Sequence, residues 1–489
     1  MNATIARLVQ FAKRKAGRAL GTVVSVGLAG LLALSGTAAA SVAARSGQSA
    51  GAAASGKGAT ADWPAYLNGP LHTSYSPAEK AITPATAADL VLKWHNPLSK
   101  GVLASPTVAL GAVYIGSRRG WFYKLDEKTG KVLYKVYIGR VPTKNCGGLG
   151  IISTATVAPD PVTHIQTVYV SSGNGYLYAL RASNLAREWR SVIALPSPKV
   201  SNYYDWSSPT VANGKIYVGV SSECDLPQIP GGVMAFSQAT GQELARFYTV
   251  PRGDIGGSVW SSIAVAPNGD VFATTGNGPN AHPLLGYSES IVKLSPDALK
   301  VLGWFQVPAA QMSPDGDFGA SPVFFGGDVG ACNKNGIFYA VSRSTMRVRW
   351  QATIGVPFGP KGSGQCTAAP VYNGHDLFLG GNETTPGSAL TAAGTVQERV
   401  PSTGALVWES PLPDGVIGSP TMDGGGVIAL GTYGGSPVPN YTYLVDAATG
   451  QVIRTIAQGL DFAQTVFASN WMFGANNNGV SAWAVKPGS

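Results

Sequence analysis

The chain has 489 residues, with 35 Lys and Arg against 26 Asp and Glu, and it carries 63 Gly and 33 Pro. Charged residues at 12% are about half the usual share, while 45% apolar content with 11 Trp, 19 Tyr and 15 Phe can fill a large core, so general disorder is excluded. Five of the cations behind the formal charge of +9 (Arg7, Lys13, Arg14, Lys15 and Arg18) precede a short apolar run; without them 9 minus 5 leaves +4, and no nucleic-acid partner follows from the charge.

That apolar run, from about Leu20 to Leu34, ends in Ala38-Ala39-Ala40 and predicts an export signal over residues 1–40. It is too short and Gly-rich for a membrane-spanning helix, so the mature chain is expected to have no transmembrane segment and to be extracellular, periplasmic or wall-associated. Residues 41–61 are almost all Ala, Gly and Ser and predict a flexible linker. From residue 62 to 489 a single domain is expected, and it repeats. Ser105-Pro106-Thr107-Val108 returns as Ser208-Pro209-Thr210-Val211, with degenerate copies centred on 155, 263, 322, 370, 420 and 464, a spacing of about 51 residues.

Each copy opens the same grammar. In the third unit Asn213-Gly214 predicts a hairpin turn and Lys215 to Val220 a strand; a variable loop follows, then Gly232 to Phe236, a Thr240-Gly241 turn and Glu243 to Val250. Thr-Gly turns recur at 129–130, 403–404 and 449–450. Four antiparallel strands, repeated eight times without helical periodicity, predict an all-β fold, an eight-bladed β-propeller. The last unit holds only Gln464 to Phe467, Asn470 to Ala475 and Gly479 to Val485, whereas Leu90 to His95 reads as a fourth strand, so the N-terminal strand is expected to complete the last blade.

In such blades the loop leading into the first strand and the loop joining the second and third strands share one face. The long loops, Ser222 to Gly231 and Gly276 to Ser288, are of the second kind, and long loops are where function concentrates. Cys146 and Cys366 precede first strands, while Cys224 and Cys332 follow second strands; all four are expected on that face. Two disulfides in three possible connectivities follow, with the neighbouring-blade pairs Cys146–Cys224 and Cys332–Cys366 preferred. No CxxC or CxxCH spacing supports zinc or c-type haem, and the five histidines lack ligand spacing.

The register from Tyr114 to Gly130, Tyr-x-Gly-Ser-x-x-Gly-x-x-Tyr-x-Leu-Asp-x-x-Thr-Gly, resembles the pyrroloquinoline quinone (PQQ) repeat of quinoprotein alcohol dehydrogenases and of the outer-membrane assembly lipoprotein. Asp62-Trp63-Pro64-Ala65-Tyr66 is similar to the segment entering the dehydrogenase propeller, and Asp315 to Pro322 is similar to the polyvinyl-alcohol dehydrogenase branch. The resemblance implies PQQ and Ca²⁺ as cofactors. It implies Glu223, Asn277 and Asp317 as metal ligands, Asp317 also as the catalytic base, Trp260 beneath the quinone, Lys334 in contact with it, and Glu223 and Asn277 at the cofactor. The chemistry is coherent, since Ca²⁺ takes oxygen ligands, a quinone anion takes a cation and a flat ring takes an indole.

No two cysteines are adjacent, unlike the vicinal disulfide of many such dehydrogenases, and without a haem motif electrons would leave to a separate acceptor. The expected function is a secreted, monomeric PQQ-binding propeller oxidising a small or polymeric alcohol or polyol. The competing reading is a non-catalytic propeller that binds an envelope protein or polymer.

Overall fold

The computed structural model describes residues 61–98, 101–141, 149–199, 202–280, 282–357, 366–386, 392–433, 440–458 and 462–487. The expected export signal, nearly all of the expected linker, and Cys146 with its proposed bridge to Cys224 lie outside the described residues.

The repeated motif forms the first strand of each blade, and its hydroxyls show why it recurs. The N–H of Ser105 donates to Thr154 Oγ1 (3.1 Å), that of Thr154 to Ser208 Oγ (3.0 Å), that of Ser208 to Ser262 Oγ (3.0 Å) and that of Ser262 to Ser321 Oγ (2.9 Å). Ala369 donates likewise to Ser419 (2.9 Å), and Gln464 to Ser105 (2.9 Å), which links the last blade to the first. The motif threonines add a second tier: Thr107, Thr156 and Thr210 each donate from Oγ1 to a carbonyl of the next blade at 2.6 Å. These atoms are buried, and each hydroxyl satisfies a backbone group of its neighbour that would otherwise be orphaned.

Eight antiparallel sheets result. Blades 1 to 6 run through residues 107–137, 156–192, 210–248, 264–306, 323–353 and 371–412, blade 7 occupies 421–458, and blade 8 is built from 466–485 with a strand from the other end of the chain. Leu90–Asn96 pairs antiparallel with Gly479–Val485, Leu90 opposite Val485 and Asn96 opposite Val480, so the ring closes as the short last unit requires. First strands of neighbouring blades touch near the axis, and fourth strands form the exposed rim.

The Thr-Gly turns lock one blade onto the next. Gly130, Gly241, Gly404 and Gly450 have φ of 67 to 73°, and a side chain at any of them would collide with the indole of Trp94, Trp189, Trp350 or Trp408 from the preceding blade's fourth strand. Three of these indoles also donate Nε1–H to a carbonyl beside the turn, at 2.9 Å (Trp94 to Glu127), 2.7 Å (Trp350 to Pro401) and 3.1 Å (Trp408 to Ala447).

The N-terminal segment does something the repeat does not announce. Between Ala61 and Ser76 it passes around the axis at the far ends of the first strands. Its backbone bonds in turn to Ser469, Val108, Val157, Val265, Phe324, Tyr372 and Met422, touching seven of the eight blades. Trp63 is fully buried, His72 Nδ1 is 2.8 Å from the Pro322 carbonyl, and Tyr75–Ser76 lies parallel to Met422–Asp423 as an extra strand of blade 7. This girdle sits at the end of the ring opposite the long loops.

Candidate functional site

Blades 3, 4 and 5 bring their loops together on the open face. The loop into blade 5 carries Asp315 and Asp317, and the blade 5 hairpin Asn333 to Gly336 carries Lys334. The two are clasped by backbone and side chain: Lys334 N–H donates to the Asp317 carbonyl (2.8 Å), while buried Asn333 donates Nδ2–H to the Gly316 carbonyl (2.5 Å) and accepts Asn335 N–H (2.8 Å). The Cys332–Cys366 disulfide, the second of the expected pairs, ties the same hairpin to the start of blade 6.

Lys334 Nζ is 2.6 Å from Asp317 Oδ2 and 3.1 Å from Asp315 Oδ2, and it stands 5.4 Å from the centroid of the Trp260 ring. Burial works against the ammonium, but Asp317 and Asp315 outweigh it and hold its pKa above the ordinary value. Asp317 Oδ1 accepts the backbone N–H of Asn277 (2.8 Å), an approach possible only because residue 276 is glycine: a Cβ there would occupy the carboxylate's position. The edge of Trp260 rests against Gly319, which leaves the indole half-exposed in the floor of the site.

The Asn277 amide faces Asp225 and Asp317. With its oxygen turned inward, three oxygens converge; with its nitrogen inward, it donates to Asp317 Oδ1 (2.9 Å) and Asp225 Oδ2 (3.2 Å) and accepts from Gln228 (3.2 Å). Asp225, Asp315 and Asp317 offer carboxylate oxygens within 4.8 Å of one another. Desolvation and Asp317 raise the pKa of Asp225 against the Ser222 hydroxyl and Lys334, and desolvation lifts Asp315 to about 6 despite the pull of Lys334.

Four of the five residues singled out in the sequence, Trp260, Asn277, Asp317 and Lys334, thus meet in one contact network. Glu223 lies in the expected loop but beside Tyr204. Only 3% of it is exposed, neither carboxylate oxygen makes a hydrogen bond, and burial pushes it to about 7. Asp225, two residues on, is the carboxylate of that loop that faces Asn277. Its φ of 54° and the Ser222 Oγ, which accepts its N–H at 2.8 Å, turn the chain inward there, a geometry the sequence does not spell out.

Sequence reasoning also passed over Glu289. It is 1% exposed, sits at φ 48°, presses its carboxylate against Gly316 and leaves Oε2 without a partner; burial first, then Asp317 and Asp315, lift it to about 8. Asp205, in the loop into blade 3, is likewise buried with an unbonded oxygen, and burial raises its pKa strongly. The face therefore concentrates carboxylates that the protein alone does not satisfy.

A family model described as "Outer membrane protein assembly factor BamB" matches residues 35–246. Among curated proteins, the chain is 29% identical over 222 residues to quinohemoprotein alcohol dehydrogenase ADH-IIG of Pseudomonas putida, covering 44% of this chain and 30% of that one. It is 27% identical over 295 residues to the dehydrogenase subunit of the quinone alcohol dehydrogenase of Gluconobacter oxydans, 50% of this chain and 37% of that one. The chain thus spans about a third of the length of these relatives. Among solved structures, the quinohemoprotein alcohol dehydrogenase of Comamonas testosteroni aligns with a TM-score of 0.68 at 18% identity, over 86% of this chain and 80% of that one. BamB of Moraxella catarrhalis aligns at 0.54 and 13% identity, over 81% and 99%. At these identities the solved structures speak to fold alone. The repeated blades and the sequence matches together support the PQQ-repeat β-propeller family for this chain.

Proposed function

We propose that this propeller is an exported quinoprotein dehydrogenase that binds PQQ and Ca²⁺ on its open face and oxidises an alcohol or polyol. The observation that carries the reading is the convergence of the Asp225, Asp315 and Asp317 carboxylates, two of them faced by the Asn277 amide, beside a lysine held over an indole. The residues suit the groups. The converging donors are the carboxylate oxygens of Asp225, Asp315 and Asp317, as a hard cation requires, and the Asn277 amide beside them can turn its oxygen toward the same point. Glu223, with both oxygens unbonded, is a further carboxylate available to the same face.

When bound, the quinone supplies the two-electron acceptor and the metal a Lewis acid. Asp317, on the loop into blade 5, takes the hydroxyl proton of the substrate at a carboxylate oxygen. Lys334 pairs with that carboxylate and presents a cation to the quinone oxygens, while Trp260 gives a flat support for the ring.

The test is equilibrium dialysis of the protein with PQQ, with and without Ca²⁺, measuring retained quinone by absorbance. Stoichiometric, Ca²⁺-dependent retention that is lost in an Asn277→Ala, Asp317→Ala variant is expected, and dye-linked oxidation of alcohols should follow it. Retention unchanged in that variant would remove the site assignment. A second reading, a non-catalytic scaffold for an envelope protein, draws on the BamB-described family match and on the alignment over 99% of the BamB chain. Absence of quinone retention under both conditions would favour it.

A further inference from the structure

Charge is unevenly spread around the ring. Residues 107–199, which make blades 1 and 2 with the connection leaving them, hold 12 Lys and Arg against 4 Asp and Glu; residues 200–489 hold 13 against 19. The basic side also carries exposed apolar surface. Every residue of the blade 1 outer strand, Val132–Tyr137, is exposed except half-buried Val136, and Val132, Leu133, Tyr134 and Tyr137 are 44 to 52% exposed. Lysines interleave with these side chains: Lys124 lies 5.9 Å from the Tyr134 ring centroid, Lys135 lies 5.1 Å from that of Trp121, and exposed Lys131 immediately precedes the strand. In blade 2, Arg187 and Arg190 are exposed on the corresponding strand, with Val192 at 44%.

We infer that the outer wall of blades 1 and 2 docks on an anionic lipid bilayer. The reasoning is physical. A blade's fourth strand is the outermost element of the ring, so its side chains protrude from a convex rim; a protruding set of tyrosines and aliphatics flanked by lysines meets an acyl boundary with its tips while its ammonium groups meet lipid phosphates. A polymer chain would call instead for a groove with convergent hydrogen-bonding groups. None of the described helices is long and apolar enough to cross a membrane, so this contact is peripheral, and its strength rests on the match between a basic wall and a negative surface. The acidic blades then face away from the bilayer. The inference is independent of whether the open face holds a quinone.

The experiment is co-sedimentation of the protein from Ala61 onward, which retains all eight blades and both partners of the closing strand pair, with phosphatidylcholine vesicles with and without phosphatidylglycerol. Binding to the anionic vesicles alone is expected, weakening as salt rises from about 0.1 to about 0.5 M. Lys131→Glu with Lys135→Glu should lower the partition coefficient at least about tenfold. Tyr134→Ser with Tyr137→Ser should lower it several-fold while leaving the salt dependence intact. Lys300→Glu with Arg347→Glu makes the same charge change on exposed positions of blades 4 and 5 and should leave binding near the parent value. Unchanged melting temperatures across the set establish that folding is not the cause. Equal binding to both vesicles, or equal loss in the far-side variant, would overturn the inference. So would retention on polyglutamate without vesicle binding, or self-association that the Tyr134 and Tyr137 changes abolish.

Discussion

Glu289 offers a sharp test of how this face is held together. Glu289→Gln keeps the shape of the side chain and removes its ionisation. In the parent, burial and then Asp317 and Asp315 raise the group from 4.5 to about 8. The folded chain therefore holds a proton that the unfolded chain has released between those pH values. The stability this confers is complete below pH 4.5 and is lost as pH rises through 8. A shift of that size corresponds to roughly 5 kcal/mol at its limit. For a domain of some 430 residues, about 1 °C of melting temperature accompanies each kcal/mol. Melting curves of cation-free parent and variant should nearly coincide at pH 5 and separate by about 3 to 5 °C at pH 8.5, the variant being the more stable. Parallel curves across that range would show that Glu289 is not the buried, unbonded carboxyl described above, and the crowding argument for the face would fall with it.

Two further outcomes follow from the scaffold. Replacing Cys332 and Cys366 together by Ser opens a loop of 34 residues and should cost up to about 4 kcal/mol, seen as a lowered melting temperature that reductant no longer changes. Trp63→Ala removes a fully buried indole from the girdle and should cost about 3 to 5 kcal/mol, with protease cleavage appearing first between residues 61 and 76; cleavage elsewhere would contradict the girdle's part in closing the ring.

The ring was legible because its signals are local and repeat. Thr-Gly turns mark positions where a tryptophan must lie flat on a glycine, and the small-Pro-Thr-Val copies mark hydroxyls that bond to the next blade. Even the closing strand could be read, since Leu90 to His95 had the pattern of a fourth strand and blade 8 lacked one. The girdle could not. It contacts one blade after another through backbone groups, and backbone bonding has no side-chain alphabet to repeat. The site divides along the same line. Trp260, Asn277 and Lys334 sit within a few residues of strand ends, where the repeat fixes the chain direction, and Asp317, in the loop into blade 5, is tied to the Lys334 hairpin by backbone and side chain. In the long Ser222 to Gly231 loop the repeat loses its hold, and a left-handed turn at Asp225 decides that this residue, rather than Glu223, looks toward Asn277.

That division bears on what the face can do. The first strands are bonded hydroxyl to backbone between neighbouring blades and girdled at one end, which leaves the long loops to the other face. On that face the loops place Asp205, Glu223, Asp225, Glu289, Asp315 and Asp317, and Lys334 is the cation paired with Asp315 and Asp317. Burying so many like charges is tolerable only if some are neutralised, and burial raises the pKa of Glu223, Glu289 and Asp205 in the direction that favours their protonated forms. A divalent cation entering among Asp225, Asn277 and Asp317 needs its carboxylate ligands ionised, so it would compete with the proton that burial and Asp317 favour on Asp225. Its affinity should therefore rise with pH across the interval in which the cation-free protein loses stability, and the protons held by the carboxylates should be released as it binds.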